Sequence, residues 1–242
     1  MDNFNFYSPT EFVFGKGREN EAGQLVKKWG GTKALVHFGG GSAVKSGLLD
    51  RVTASLEAAK VPYVTLGGVK PNPRDTLVYE GIDLCRKEGV DFILCVGGGS
   101  VIDCAKAISV SAYAKGDPWQ RYWIDFEEVD NEIVPVGTIL TMTGTASEMN
   151  GGSVITNEEV TIKTGRVYGP EEYPKFSILN PEFTYSVPKK QMVSGVFDVM
   201  SHLMEQYFSG DDDNTTDYVI EAVMKSLINS SKIALKNPED YE

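Results

Sequence analysis

Two glycine clusters, each wedged between an apolar run and a helical pattern, limit what this chain can fold into more than any other feature. Gly39-Gly40-Gly41-Ser42 follows Lys33-Ala34-Leu35-Val36-His37-Phe38. Gly97-Gly98-Gly99-Ser100 follows Asp91-Phe92-Ile93-Leu94-Cys95-Val96 and runs into Val101-Ile102-Asp103-Cys104-Ala105-Lys106. A strand that stops at several glycines and restarts as a helix leaves backbone N–H groups pointing into a crevice. Without a Cβ in the way, an anion can approach them at the positive end of the helix dipole. One Gly-Gly-Gly-Ser is as readily plain turn chemistry. Two of them in one alternating pattern point to a ligand carrying several phosphates, and so to a dinucleotide.

The surrounding sequence supplies the alternation. An extended start (11–15) precedes an amphipathic helix near 19–29 and the strand 33–38. A helix over 44–60 stops before Pro62, which opens the strand 62–66. After the rigid turn Pro71-Asn72-Pro73 comes a helix over 75–88, ended by Gly89, then the strand 91–96, a helix over 100–115 and the strand 133–140. This βαβα succession predicts a parallel sheet covered on both faces. From 150 to 188 the pattern loosens into loops with short strands near 153–156 and 176–179, and 158–169 reads as an irregular connection near the crevice. Beyond Val187-Pro188 two helical patterns follow, 189–209 and 215–235, with a domain boundary close to Ser186. Asp211-Asp212-Asp213-Asn214 between them reads as a solvated loop that caps the second helix. Two helices bury each other's apolar faces poorly, so they either pack back on the α/β unit or open a longer protein.

Composition narrows the function classes. The chain has 242 residues, 41% of them hydrophobic and 24% charged, and a net charge of −11. No basic stripe is available for nucleic acid. No apolar run approaches the roughly 18 residues that span a membrane, and Met1-Asp2-Asn3-Phe4-Asn5-Phe6 lacks the character of a secretory signal. Cys85, Cys95 and Cys104 cannot all pair with one another and show no close metal-knuckle spacing, so they read as buried reduced thiols of a cytoplasmic protein.

Chemistry is concentrated in two further places. Asp198 and His202 are four residues apart and share a helix face, where a carboxylate and an imidazole can grip a divalent ion such as Zn²⁺ or Fe²⁺. The plainer alternative is a surface Asp–His pair worth a few tenths of a kcal/mol. Thr141-Met142-Thr143-Gly144-Thr145-Ala146-Ser147-Glu148-Met149-Asn150 places small hydroxylated residues at the carboxyl end of a strand. Such a loop suits a flat ring needing hydrogen bonds, or is only a Thr/Ser-rich turn. Lys163 adds positive charge near the crevice or is an exposed loop lysine. His37, inside a strand, reads as structural.

Taken together these segments resemble the iron-containing (group III) alcohol dehydrogenases, and among them the NADPH-dependent butanol dehydrogenases. The resemblance runs the length of the chain. It rests on Phe14-Gly15-Lys16-Gly17, the two Gly-Gly-Gly-Ser clusters, Gly68-Val69-Lys70-Pro71-Asn72-Pro73, Asp103 with Lys106, the 144–150 loop, and Asp198 with His202. It implies a Rossmann-like α/β domain over 1–185, then over 186–242 the first helices of an all-helical metal-binding domain, a dehydroquinate synthase-like architecture that is truncated here. Gly97, Gly98, Gly99 and Ser100 would hold the pyrophosphate, Asp103 on the following helix would count among the cofactor-binding residues, and Asn72 would lie along the cofactor. Thr141, Thr145, Lys163 and Leu179 match positions lining nucleotide and nicotinamide. Asp198 and His202 match two metal ligands, with two further histidines expected downstream. Ala146 stands where many relatives have glycine. The implied partners are a small alcohol or aldehyde and a second copy of the chain in a homodimer.

Cofactor choice has a physical argument of its own. Enzymes that prefer NAD place a carboxylate near the ribose 2′-hydroxyl, where it repels a 2′-phosphate. Here the corresponding stretch is Gly39, Gly40, Gly41 and Ser42 with Lys45 behind it, which tolerates a phosphate and predicts NADP(H). The expected reaction is a metal-assisted hydride transfer between NADP(H) and a short-chain primary alcohol or aldehyde. Two other expectations compete with it: a metal- and nucleotide-dependent lyase of the dehydroquinate synthase kind, and a truncated, non-catalytic nucleotide-binding chain.

Overall fold

A computed structural model describes residues 3, 5–209 and 214–241. The elements of its first part are β1 (Glu11–Phe14), α1 (Ala22–Lys28), β2 (Ala34–Gly39), α2 (Ser42–Lys45), α3 (Leu48–Ala58), β3 (Tyr63–Val69), α4 (Asp75–Glu88), β4 (Phe92–Gly97) and α5 (Gly99–Ser111). Then come β5 (Val136–Leu140), β6 (Gly152–Asn157), β7 (Ile162–Val167), β8 (Phe176–Leu179), α6 (Lys189–Phe208) and α7 (Asn214–Ala234). By their contacts the described residues fall into two compact units, Ser8–Asn180 and Pro181–Glu242 with Met1–Tyr7.

The first unit is built on a six-stranded sheet in the order β1-β8-β5-β4-β2-β3. Every pairing in it is parallel. Its central strands explain themselves: β4 (Phe-Ile-Leu-Cys-Val-Gly) and β5 (Val-Gly-Thr-Ile-Leu) are buried at every position, as a sheet covered on both faces requires. From β2 the chain moves outward to β3, then returns across β2 to β4 and continues to β5 on the other side. Right-handed crossovers therefore set α3 on one face of the sheet and α4 and α5 on the other. β5 begins only at Val136, because Pro135 has no N–H to give to the ladder, though its carbonyl still accepts from Ile93 at 2.9 Å.

Two expectations need correction. The helix foreseen over 44–60 is broken into α2 and α3 at Gly47, whose φ of 68° lies in the left-handed region, where glycine carries no Cβ penalty. The segment 158–169, foreseen as irregular, holds β7, paired antiparallel with β6 in a hairpin outside the main sheet. Ile162, Thr164 and Val167 are the strand formers of β7, a signal that Lys163, Gly165 and Arg166 between them conceal. This hairpin is tied to the 71–74 turn by Thr156 N donating to Pro73 O at 2.8 Å and by an Arg74–Thr156 bridge. A π-helical turn over Trp119–Ile124 was not foreseen.

His37 is a core residue, as its place in a strand suggests. Its ring is fully buried, with Nδ1 2.9 Å from Leu66 O. Burial drops its pKa from 6.5 to about 4. Between those values the unfolded chain holds a proton that the folded chain does not, so stability is lost as pH falls through the window. At about 1.4 kcal/mol per pKa unit the loss is about 3 kcal/mol. Denaturant unfolding at pH 7 and pH 4 should therefore show a drop smaller by about that amount in His37→Gln than in the parent. Equal drops would contradict the assignment.

In the second unit α6 and α7 pack against each other. Asp211, Asp212 and Asp213 lie outside the described residues, as does the side chain of Asn214. Among the described residues of the two helices only Ile220 is buried, and Phe197, Phe208 and Tyr218 are largely exposed. No helix among the described residues is long and apolar enough to cross a membrane.

Candidate functional site

The sheet register brings most of the sequence candidates to one edge. Phe38 pairs with Val96, Gly97 with Leu140, and Leu140 with Leu179. The carboxyl ends of β2, β4, β5 and β8 are therefore level, and the clusters 39–42 and 97–100, the 141–150 loop and Leu179 all leave the sheet on the same side. The strand order reverses between β2 and β4, so their following loops depart toward opposite faces. A doubly wound sheet opens its ligand crevice at such a reversal, outside the carboxyl ends of the strands. Both glycine clusters flank it.

The two clusters are not equivalent. Gly97 ends β4, Gly98 takes the N-cap with extended geometry (φ −89°, ψ −171°) and no capping side chain, and α5 begins at Gly99. The carbonyl of Gly98 accepts from Val101 N at 2.9 Å and Ile102 N at 3.2 Å. The N–H groups at the start of α5 have no intrahelical acceptor by position, so they and the helix dipole face the crevice. A Cβ on Gly97 would come within 2.4 Å of Val101 Cγ2, and one on Gly99 within 2.6 Å of Thr145 Oγ1. The turn is thus closed from below by its own helix and from the side by the 141–150 loop. The first cluster is open instead: a Cβ on Gly40 or Gly41 would meet nothing within 4 Å, and α2 beyond it spans only Ser42–Lys45. That short helix offers backbone donors and Lys45 but little dipole.

Other candidates meet across the rim. Lys163 on β7 donates to Asn72 Oδ1 at 2.7 Å, so the hairpin lysine and the turn asparagine form one polar pair. Asn72 holds a φ of 57°, and its carbonyl accepts from Arg74. Arg74 also reaches Glu158 Oε1 at 2.5 Å. Thr141 N donates to Gly97 O at 3.1 Å, stitching the third loop to the glycine turn.

Asp103, a cofactor-binding candidate in the sequence, sits one turn into α5, behind the glycine turn. It is buried, accepts from Ser147 Oγ at 2.6 Å and from Val154 N at 3.3 Å, and faces the interior behind the turn. Burial raises its pKa, while Ser147 and Lys106 act in the other direction. Lys106 carries no role in the sequence reading, yet it is fully buried in the same network. Its Nζ donates to Ser147 Oγ at 3.0 Å, Asn150 O at 2.5 Å, Asn150 Oδ1 at 3.1 Å and Gly152 O at 2.9 Å. Burial lowers its pKa to about 8, with Asp103 the first of the groups opposing the fall. The one sequence signal for this network was the Asp103/Lys106 spacing on α5. The three thiols are buried, and burial pushes those of Cys85 and Cys95 up to about 12, leaving them inert near neutrality.

In the helical unit Asp198 Oδ2 and His202 Nε2 are 3.7 Å apart, both more than half exposed. Two donor atoms so close on one face can share an ion. Among the described residues no group of three or more His, Cys, Asp or Glu side chains gathers around a common point, so the pair offers at most two of the donors an ion would need.

The chain is similar to proteins of one family along its length. The family model described as iron-containing alcohol dehydrogenase matches residues 9–181. Over its whole length the chain is 40% identical to NADH-dependent butanol dehydrogenase A of Clostridium acetobutylicum, covering 61% of that protein. It is 36% identical to the NADPH-dependent aldehyde reductase YqhD of Escherichia coli, covering 62% of it. The crystal structure of NADH-dependent butanol dehydrogenase A from Thermotoga maritima superposes with a TM-score of 0.94 at 38% identity, all of this chain lying on 60% of that one. The chain thus spans about three fifths of the length of these relatives.

Proposed function

Because the chain belongs to the iron-containing alcohol dehydrogenase family, we propose that it binds NADP(H) in the crevice between β2 and β4 and serves hydride transfer between that cofactor and a short-chain primary alcohol or aldehyde. The observation that carries this reading is the glycine turn at the start of α5, at the point where the strand order reverses. Residues 1–185 act as the cofactor domain and 186–242 as metal-binding helices. Gly97, Gly98, Gly99 and Ser100 receive the diphosphate on their amides. Asn72 and Lys163 lie along the nucleotide, and Thr141, Thr145 and Leu179 bound the nicotinamide. Bound there, the cofactor would supply or accept the hydride, and these residues would hold its ring within reach of substrate.

Asp198 and His202 would contribute two ligands to an Fe²⁺ or Zn²⁺ ion, whose chemistry is that of a Lewis acid on the substrate oxygen. The three unpaired, buried thiols support a cytoplasmic location, and the family resemblance supports a homodimer.

Two of the relatives carry opposite cofactors in their names, NADH for the butanol dehydrogenase of Clostridium acetobutylicum and NADPH for the reductase of Escherichia coli. The 39–42 cluster favours the phosphorylated form here. It has no carboxylate to repel a 2′-phosphate, Gly40 and Gly41 leave space, and Ser42 and Lys45 supply a hydroxyl and a cation. Fluorescence titration should give NADPH about tenfold tighter binding than NADH, the worth of one charge-assisted hydrogen bond. Tighter binding of NADH would overturn the cofactor assignment and leave the dinucleotide site standing.

A further inference from the structure

A buried ammonium with no counterpart in the proposed chemistry needs a reason, because an apolar side chain would fill the same volume at lower desolvation cost. Lys106 is that ammonium. We propose that Lys106, Ser147 and Asp103 form a positioning clamp that locks the 141–150 loop onto α5, so that one helix fixes both the diphosphate and the nicotinamide halves of a bound dinucleotide. The inference rests on the dinucleotide reading of the glycine turn and adds residues that reading leaves without a role.

Asp103 and Lys106 lie one turn apart on α5, so both present to the same neighbouring loop. Ser147 stands between them, accepting from Lys106 Nζ and donating to Asp103 Oδ1. Lys106 reaches past it to the Asn150 and Gly152 carbonyls. Asn150 carries the constraint back along the loop, donating from Nδ2 to Thr145 O at 3.2 Å. Thr145 in turn sets its Oγ1 where a Cβ of Gly99 would be, against the start of the helix. A second strut holds the middle of the loop: Ser177 Oγ donates to Glu148 O at 2.6 Å and accepts from Thr138 Oγ1 at 2.8 Å. Burial divides the loop accordingly. Ser147 is buried, while residues 142–146 are exposed at the carboxyl edge of the sheet, free to meet a ligand. A loop pinned at its base and open at its tip pre-pays the ordering that binding would otherwise demand. Networks of this kind specify one arrangement only when every member is satisfied; with four acceptors within reach, none of the three N–H donors of Nζ is left unpaired.

The test compares two ligands in the full 242-residue chain: NADPH, and 2′-phospho-ADP-ribose, which is the same molecule without its nicotinamide. In Ser147→Ala the clamp loses its central hydroxyl with little change in volume. NADPH should then bind at least about fivefold more weakly, with 2′-phospho-ADP-ribose within about twofold of the parent value. Hydrogen exchange should quicken at amides 144–150, and Ser147→Thr should restore NADPH affinity. Lys106→Met should give the same split in larger measure, and Ser147→Ala stands alone if that variant does not fold. Parallel weakening of both ligands, or no weakening of either, overturns the clamp. A parent chain that binds neither ligand overturns the dinucleotide reading itself, and the clamp with it.

Discussion

Gly98→Asp should melt no lower than the parent chain and bind NADPH at least about a hundredfold more weakly, a difference of about 2.7 kcal/mol. The two halves of that expectation have one origin. Gly98 is the N-cap of α5 in an extended conformation open to any residue, and a Cβ there would make ordinary contacts with Met142 Cβ at 3.4 Å and Met142 O at 3.6 Å. Aspartate is among the best N-cap residues, and its carboxylate is favourable at the positive end of a helix. It would satisfy the amides that are otherwise left for a ligand. The same carboxylate then occupies the proposed diphosphate position and repels its charge. At an effective dielectric of about 20, two unit charges about 4 Å apart cost about 4 kcal/mol. Gly98→Asn separates the causes, since it caps nearly as well without the charge and should lose much less affinity. Thermal melting and fluorescence titration check both halves. Undiminished NADPH affinity in Gly98→Asp would place the cofactor elsewhere.

The second large effect concerns metal. Four-ligand structural zinc sites bind with about 10–16 kcal/mol, whereas the described residues bring together only Asp198 and His202. The 242-residue chain should therefore hold Zn²⁺ or Fe²⁺ more weakly than about 1 μM, or about 8 kcal/mol. It should show little or no alcohol oxidation with NADP⁺, and His202→Ala should remove even the weak binding. Competition against a chromophoric chelator measures this directly. Stoichiometric metal surviving gel filtration would show that the chain assembles a fuller ligand set than the Asp198–His202 pair.

What the sequence made legible and what it hid follow from the range of the interactions involved. The strand ahead of each glycine turn is announced by an apolar run, interrupted only by His37 in the first, and α4 falls on Asp75–Glu88 as foreseen, because Gly89 supplies a left-handed C-cap at φ 64°. The break at Gly47 was missed because one glycine inside an amphipathic pattern only lowers helix propensity. The β6–β7 hairpin was half seen, since its second strand is exposed along most of its length and so lacks the apolar alternation that marks a half-buried strand. At the site, residues that act through their own backbone were readable: the glycines and the loop after β5. The Lys106 network was not. A lysine within a helix reads as a solvated cation, and the partners that let it be buried lie 41 to 46 residues further along the chain. The pairing of Asn72 with Lys163, 91 residues apart, was hidden for the same reason.

The central claim is that a dinucleotide lies on the bare amides where β4 gives way to α5. Its most direct measurement is amide hydrogen exchange of the 242-residue chain with and without saturating NADPH. Saturable protection is expected at amides 98–100, with a second protected stretch at 143–147 where the loop meets the turn. Binding that leaves those amides exchanging at their free rates, or protection confined to other strands, would contradict it.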